Sequence, residues 1–101
     1  MARKTRPTRE TLELLAERLG TSFPSWEGLE AAVIGTAESP GGLSRLVYSG
    51  PRCVREYIRQ GMTPSDALEF AEFNLFYQYT GDQTPLIVWP IPGDLLENGG
   101  R

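Results

Sequence analysis

The 101-residue chain contains no histidine. That absence removes the commonest general base, the usual triad partner and the commonest metal ligand together. Cys53 is the sole cysteine, which excludes an internal disulfide and any cysteine-based metal spacing. Lysine and arginine are missing from residues 60–100, a stretch that holds six acids. No apolar run approaches the ~18 residues of a membrane span. The opening MARKTRPTRE lacks the apolar segment of a secretory signal. These gaps predict a cytoplasmic protein without cofactor, metal or membrane, and they make catalysis unexpected.

What charge there is, is segregated. Residues 1–9 carry four basic groups and no acid, and the rest of the chain carries six basic and thirteen acidic residues. Such a body is poorly suited to tracking nucleic-acid phosphates, so nucleic acid is not the expected partner. A chain of this length supports one hydrophobic core. Residues 1–7 read as a basic flexible arm, 8–97 as a single domain and 98–101 as a flexible tail.

Hydrophobic periodicity and punctuation set the elements. In TRETLELLAERL (8–19), Thr8 is a natural N-cap, Leu12, Leu15, Ala16 and Leu19 share one face, and Gly20 is a stop. Residues 21–31 connect, fastened through Phe23, Trp26 and Leu29. AVIGTA (32–37) and RLVYS (45–49) read as strands joined by the turn ESPGG, hence as an antiparallel hairpin. A helix follows over 51–60, with Pro51 at its first position and Gly61 behind it. Another starts at Thr63-Pro64, with Asp66 three residues after the cap, and runs to about Thr80. TPLIVWP (84–90) is the third strand, and Leu95 and Leu96 are candidates to dock the tail. The expected fold is α+β, a small three-stranded sheet with helices on one face, in the order α-β-β-α-α-β. The position of the third strand is open.

The third helix is unusually aromatic: Phe70, Phe73, Phe76, Tyr77 and Tyr79 fall within ten residues. At 100° per residue, Leu68, Ala71, Leu75 and Tyr79 form one stripe, and Phe70, Phe73 and Tyr77 form a second. Packing against one sheet covers only one. A second subunit would cover the other, as would the first helix with the connector. Phe70, Phe73, Phe76 and Tyr77 are therefore candidate interface residues of a homo-oligomer. Asn74, set in an apolar arc, needs hydrogen-bond partners, either backbone such as the 81–85 loop or a ligand.

The second helix buries Cys53, Val54, Tyr57 and Ile58 and aligns Arg52, Arg55 and Arg59 on the opposite edge. Three guanidiniums in a row suit phosphate, and they also suit a solvated face paired with Glu56. Cys53, on the apolar side with no histidine to activate it, reads as structural. Asp66, Glu69 and Glu72 mark a wet helix edge, and no Gly-Lys-Ser/Thr phosphate loop is present.

Three segments, WEGLEAAVIGTAE, LVYS..RCVREYIRQGMT..DALEFAEFN and YTGDQTP, resemble a family of small uncharacterised phage and bacterial proteins. That family shows an A-[IVL]-I-G-V strand, a G-M-T-x-x-E-A-x-E-[FY]-x-E-F-N helix and a following G-[ED]-x-T-P. The resemblance covers roughly residues 26–88 and is most specific at Glu69–Asn74, Gly81, Thr84 and Pro85. After Asn74, LFYQYTG stands in place of a glycine- and alanine-containing stretch. The resemblance implies a phage-type protein acting in the host cytoplasm, and implies no particular activity. Together with the arginine row, it leads us to expect a homo-oligomeric, non-catalytic binder of a small anionic, nucleotide-like ligand of host defence. In it Arg52, Arg55 and Arg59 hold phosphate, Tyr57, Tyr77 or Trp89 stacks a base and Asn74 reads an edge. The alternative is an inhibitor or adaptor whose acidic surface docks on a host protein.

Overall fold

The computed structural model describes residues 6–76 and 81–96. The expectations for the first five residues, for residues 77–80 and for the end of the tail lie outside that range. Helix α1 (Arg9–Leu19) begins at the expected cap. Thr8 Oγ1 accepts from the Thr11 amide at 3.3 Å, and Thr11 Oγ1 accepts from the Thr8 amide at 3.0 Å. This reciprocal pair satisfies two donors that a helix start leaves unpaired. Gly20, at φ 71°, ends the helix in the left-handed conformation. Leu12 is buried and Leu15 and Ala16 half-buried, but Leu19, in the last turn before the chain departs, is exposed.

The sheet has the order β1-β2-β3. Strands β1 (Val33–Glu38) and β2 (Ser44–Ser49) form the expected antiparallel hairpin, with Val33 opposite Tyr48 and Glu38 opposite Ser44. The register shifts between Val33 and Gly35, which leaves Ile34 exposed. Strand β3 (Leu86–Val88) pairs parallel to β2, with Ile87 beside Tyr48. A parallel neighbour requires a long return path, and two helices supply it. The expected strand over 84–90 shrinks to three residues between Pro85 and Pro90, which have no N–H to give a ladder.

Helix α2 (Gly50–Arg59) follows β2 without a loop. Ser49 caps it, its Oγ accepting from the Arg52 amide at 3.2 Å. Pro51 stands second rather than first, because Gly50 takes the first position. A Cβ at Gly50 would lie within 2.6 Å of three ring carbons of Trp89, so the indole occupies the space a side chain would need. Helix α3 (Pro64–Ala71) is capped one-sidedly by Thr63, whose Oγ1 accepts from the Asp66 amide at 3.1 Å.

After Ala71 the α-helix gives way to a wider π turn over Glu72–Phe76. The projection at 100° per residue therefore does not carry through to Thr80. The buried line is Ala67, Ala71 and Leu75, at i, i+4 and i+8, whereas Leu68 is exposed. Alanines on the inner side admit close approach, and α3 lies against α2 there, with the Tyr57 and Phe70 rings edge-on at 5.0 Å. Asn74 does not hold the 81–85 loop. Its Nδ2 donates to the Phe70 carbonyl four residues back at 2.9 Å, at the start of the wider turn. The loop is held by β2 instead. Arg45 donates to the carbonyls of Asp82 and Thr84 and to Ser39 Oγ, and Gln83 Nε2 donates to Ser44 O at 2.9 Å.

The core lies between one face of the sheet and the three helices. Tyr48 is at its centre, fully buried among Leu29, Val33, Leu46, Cys53 and Ala71. Its hydroxyl accepts from the Trp26 amide at 2.8 Å and its ring meets the Trp26 ring at 4.6 Å, which fastens the connector to the sheet as expected. On the opposite face Leu86 and Val88 are exposed, and so are Leu95 and Leu96, which do not dock.

Candidate functional site

Among the arginines of α2, the fold separates one from the other two. Arg55 and Arg59 are exposed one turn apart near the helix end, and Glu56 beside them is buried, only 4% exposed. A buried carboxylate is costly unless partnered. Glu56 Oε1 accepts from Arg59 Nη2 at 2.6 Å, and Oε2 lies 3.9 Å from Arg6 Nη1, which comes from the segment before α1. The hydrogen bond and charge of Glu56 hold the Arg59 guanidinium above its ordinary pKa. Arg6, Arg55, Arg59 and Glu56 line an open groove of about 540 Å³, with Ala31 and Ile58 as its apolar surface. Three guanidiniums around one carboxylate leave an excess of two positive charges. Arg55 makes no ion pair among the described residues. What this arrangement can do is hold an anion between a free guanidinium and two that a buried carboxylate orients.

The other sequence-predicted site residues are dispersed. Arg52 is half-buried in the first turn of α2 and is not part of the groove wall. Trp89 lies on Gly50 at that same end, roughly 13 Å along the axis from Arg59 at 1.5 Å per residue. Tyr57 is engaged with Phe70, and burial raises the pKa of its hydroxyl. Asn74 is committed to Phe70. Tyr77 and the Phe76 side chain lie outside the described residues. The fold thus brings Arg55 and Arg59 together, adds Arg6, and assembles no base-stacking partner beside them. Of the expected interface residues, Phe70 is 42% and Phe73 71% exposed.

Sequence reading paired Glu56 with the arginine row on a solvated face, and the structure keeps the pairing with Arg59 but buries the carboxylate, while Arg6 was not expected here. Glu56 projects only about 60° from Cys53 on a helical wheel, so its place beside the buried face was readable. Arg6 was not, because nothing local links it to α2. A second groove, about 360 Å³, has Leu12, Phe23 and Leu46 as its floor and Glu13, Glu27 and Glu30 at its rim. Arg9 pairs with Glu27 across it at 3.1 Å. Its walls come from three separated segments, which leaves no sequence signal.

Cys53 is fully buried, and desolvation, aided by the charge of Glu56, pushes its thiol up to about 12. That is the opposite of an activated nucleophile. Among the described residues no three acidic or cysteine side chains converge as metal ligands, and no helix is long and apolar enough to cross a membrane. No family model, curated protein or solved structure matches the chain, so the family resemblance rests on its motifs and the functional reading on the groove itself.

Proposed function

We propose that the chain is a non-catalytic binder of a small, multiply charged anion, held by Arg6, Arg55 and Arg59. The observation that supports this reading is the unpaired Arg55 beside two guanidiniums anchored on a buried carboxylate. Glu56 is not the anion's competitor so much as its organiser. Its 2.6 Å hydrogen bond sets where the Arg59 fork stands before the ligand arrives, which lowers the ordering cost of binding, and its charge draws Arg6 to 3.9 Å. All four groups belong to one chain, so the groove is complete without a subunit boundary. The ligand class is set by charge and forked hydrogen bonding, hence phosphate or carboxylate groups, and a stacked base is not part of the reading.

Isothermal titration with inorganic pyrophosphate tests it. The wild type is expected to bind, more weakly as salt rises. Arg55→Ala is expected to lose about tenfold in affinity. Arg52→Ala, outside the groove, is expected to leave affinity unchanged. Equal affinity in wild type and Arg55→Ala would sink the reading. Native mass spectrometry of protein taken intact from cells then reads the subunit number and any retained anion in one spectrum.

A further inference from the structure

A different surface, on α3, carries an inference of its own. Met62, Phe70 and Phe73 form the apolar part of a groove of about 390 Å³, and Asp66, Glu69 and Asn74 form its rim. Phe73 is 71% exposed, the most exposed aromatic side chain among the described residues. Neither carboxylate has an ion pair among the described residues. Asn74 spends Nδ2 on the Phe70 carbonyl, and its own carbonyl oxygen accepts from no group among the described residues. The rim is thus rich in acceptors, and the floor is aromatic. No lysine or arginine occurs anywhere in residues 60–100 to neutralise it.

We propose that this groove is a docking surface for a lysine- and arginine-rich amphipathic segment of a partner protein. Basic side chains meet each requirement of the groove. Their aliphatic stems cover apolar surface, their heads donate to carboxylates, and a cation placed over Phe73 is attracted to the ring face. A second copy of this chain meeting it two-fold sets one acidic rim against another with no lysine or arginine from residues 60–100 of either copy between them, a like-charge arrangement that works against association. Charge complementarity therefore selects a basic occupant. The π turn contributes by breaking the regular α-helical projection at Phe73, about one turn beyond Glu69 and two beyond Asp66.

The test is fluorescence anisotropy with a labelled amphipathic lysine–leucine peptide, the full chain and two controls, a glutamate–leucine peptide and a scrambled peptide. The basic peptide is expected to bind, and the two controls are not. Phe73→Ala and the pair Asp66→Asn with Glu69→Gln are each expected to weaken binding about tenfold, the latter also flattening the salt dependence. Glu69→Gln alone, at an exposed mid-helix position, guards against a loss caused by weakening the α3 start. Unchanged affinity in Phe73→Ala and Glu69→Gln overturns the proposal, as does equal binding of the scrambled peptide. Sedimentation of the same proteins decides against it in one further way. If Phe73→Ala converts a dimer to a monomer, the occupant is a second copy.

Discussion

At Gly50 the indole of Trp89 lies where a side chain would begin. Gly50→Ala is therefore expected to destabilise the fold by about 1–3 kcal/mol through overpacking. Urea unfolding measures the loss. The double variant with Trp89→Ala should recover much of it, since the clash needs both partners. Tyr48 offers the complementary case of a hydrogen bond removed. Tyr48→Phe leaves the Trp26 amide without its acceptor, at a cost of about 1 kcal/mol in the same assay. Sequence reading does well with residues whose work is local. Thr8 and Thr63 announce their helices because a hydroxyl and an amide three residues on are neighbours in any helix start. It does badly with Gly50 and Arg6, because their surroundings come from residues distant in the chain, Trp89 and Glu56.

Among elements, β3 depends most on side chains. It is three residues long, bounded by prolines, and preceded by a loop whose carbonyls Arg45 gathers. Arg45→Met keeps the stem and removes the donors. Hydrogen exchange is expected to quicken at residues 86–88 while the β1–β2 hairpin amides keep their protection. Equal loss in both strand pairs would show that β3 and the hairpin open as one unit. The hairpin was legible because its turn and both strands are contiguous. The parallel seat of β3 was not, since no residue of either strand encodes which edge the returning chain reaches. Helix α3 is an intermediate case. Its start follows from Thr63 and Pro64, and Ala71 and Leu75 are buried as the expected stripe has them, but that stripe takes Leu68 where the helix buries Ala67, and a continuous 3.6-residue period hides the π turn.

For the whole molecule, the core's acidic protons set an alkaline limit. Burial raises the Tyr48 hydroxyl from 10.0 to about 12 and the Cys53 thiol from 9.0 to about 12. The folded state holds both protons more tightly than the unfolded chain does. Their contribution is thus fully present below about pH 9 and is lost as pH rises through about 12. Thermal melts from neutral to alkaline pH should show a level Tm that then falls, and Cys53→Ala should delay the onset of the fall towards pH 10, where unfolded tyrosine begins to ionise. A Tm that stays level to pH 12 would contradict this account. The parallel pairing of β2 with β3 also bears on how the molecule is made. A ribosome delivers β2, then both returning helices, and only afterwards the strand that covers its far edge. Local contacts let the hairpin and helices close early. Throughout that interval the backbone of Val47, Tyr48 and Ser49 stands open on one side, a template on which another nascent chain can pair. Slowing or truncating synthesis between Gly50 and Leu86 should therefore yield aggregates rather than a smaller folded protein, and Leu86–Val88 is the segment that ends the exposure.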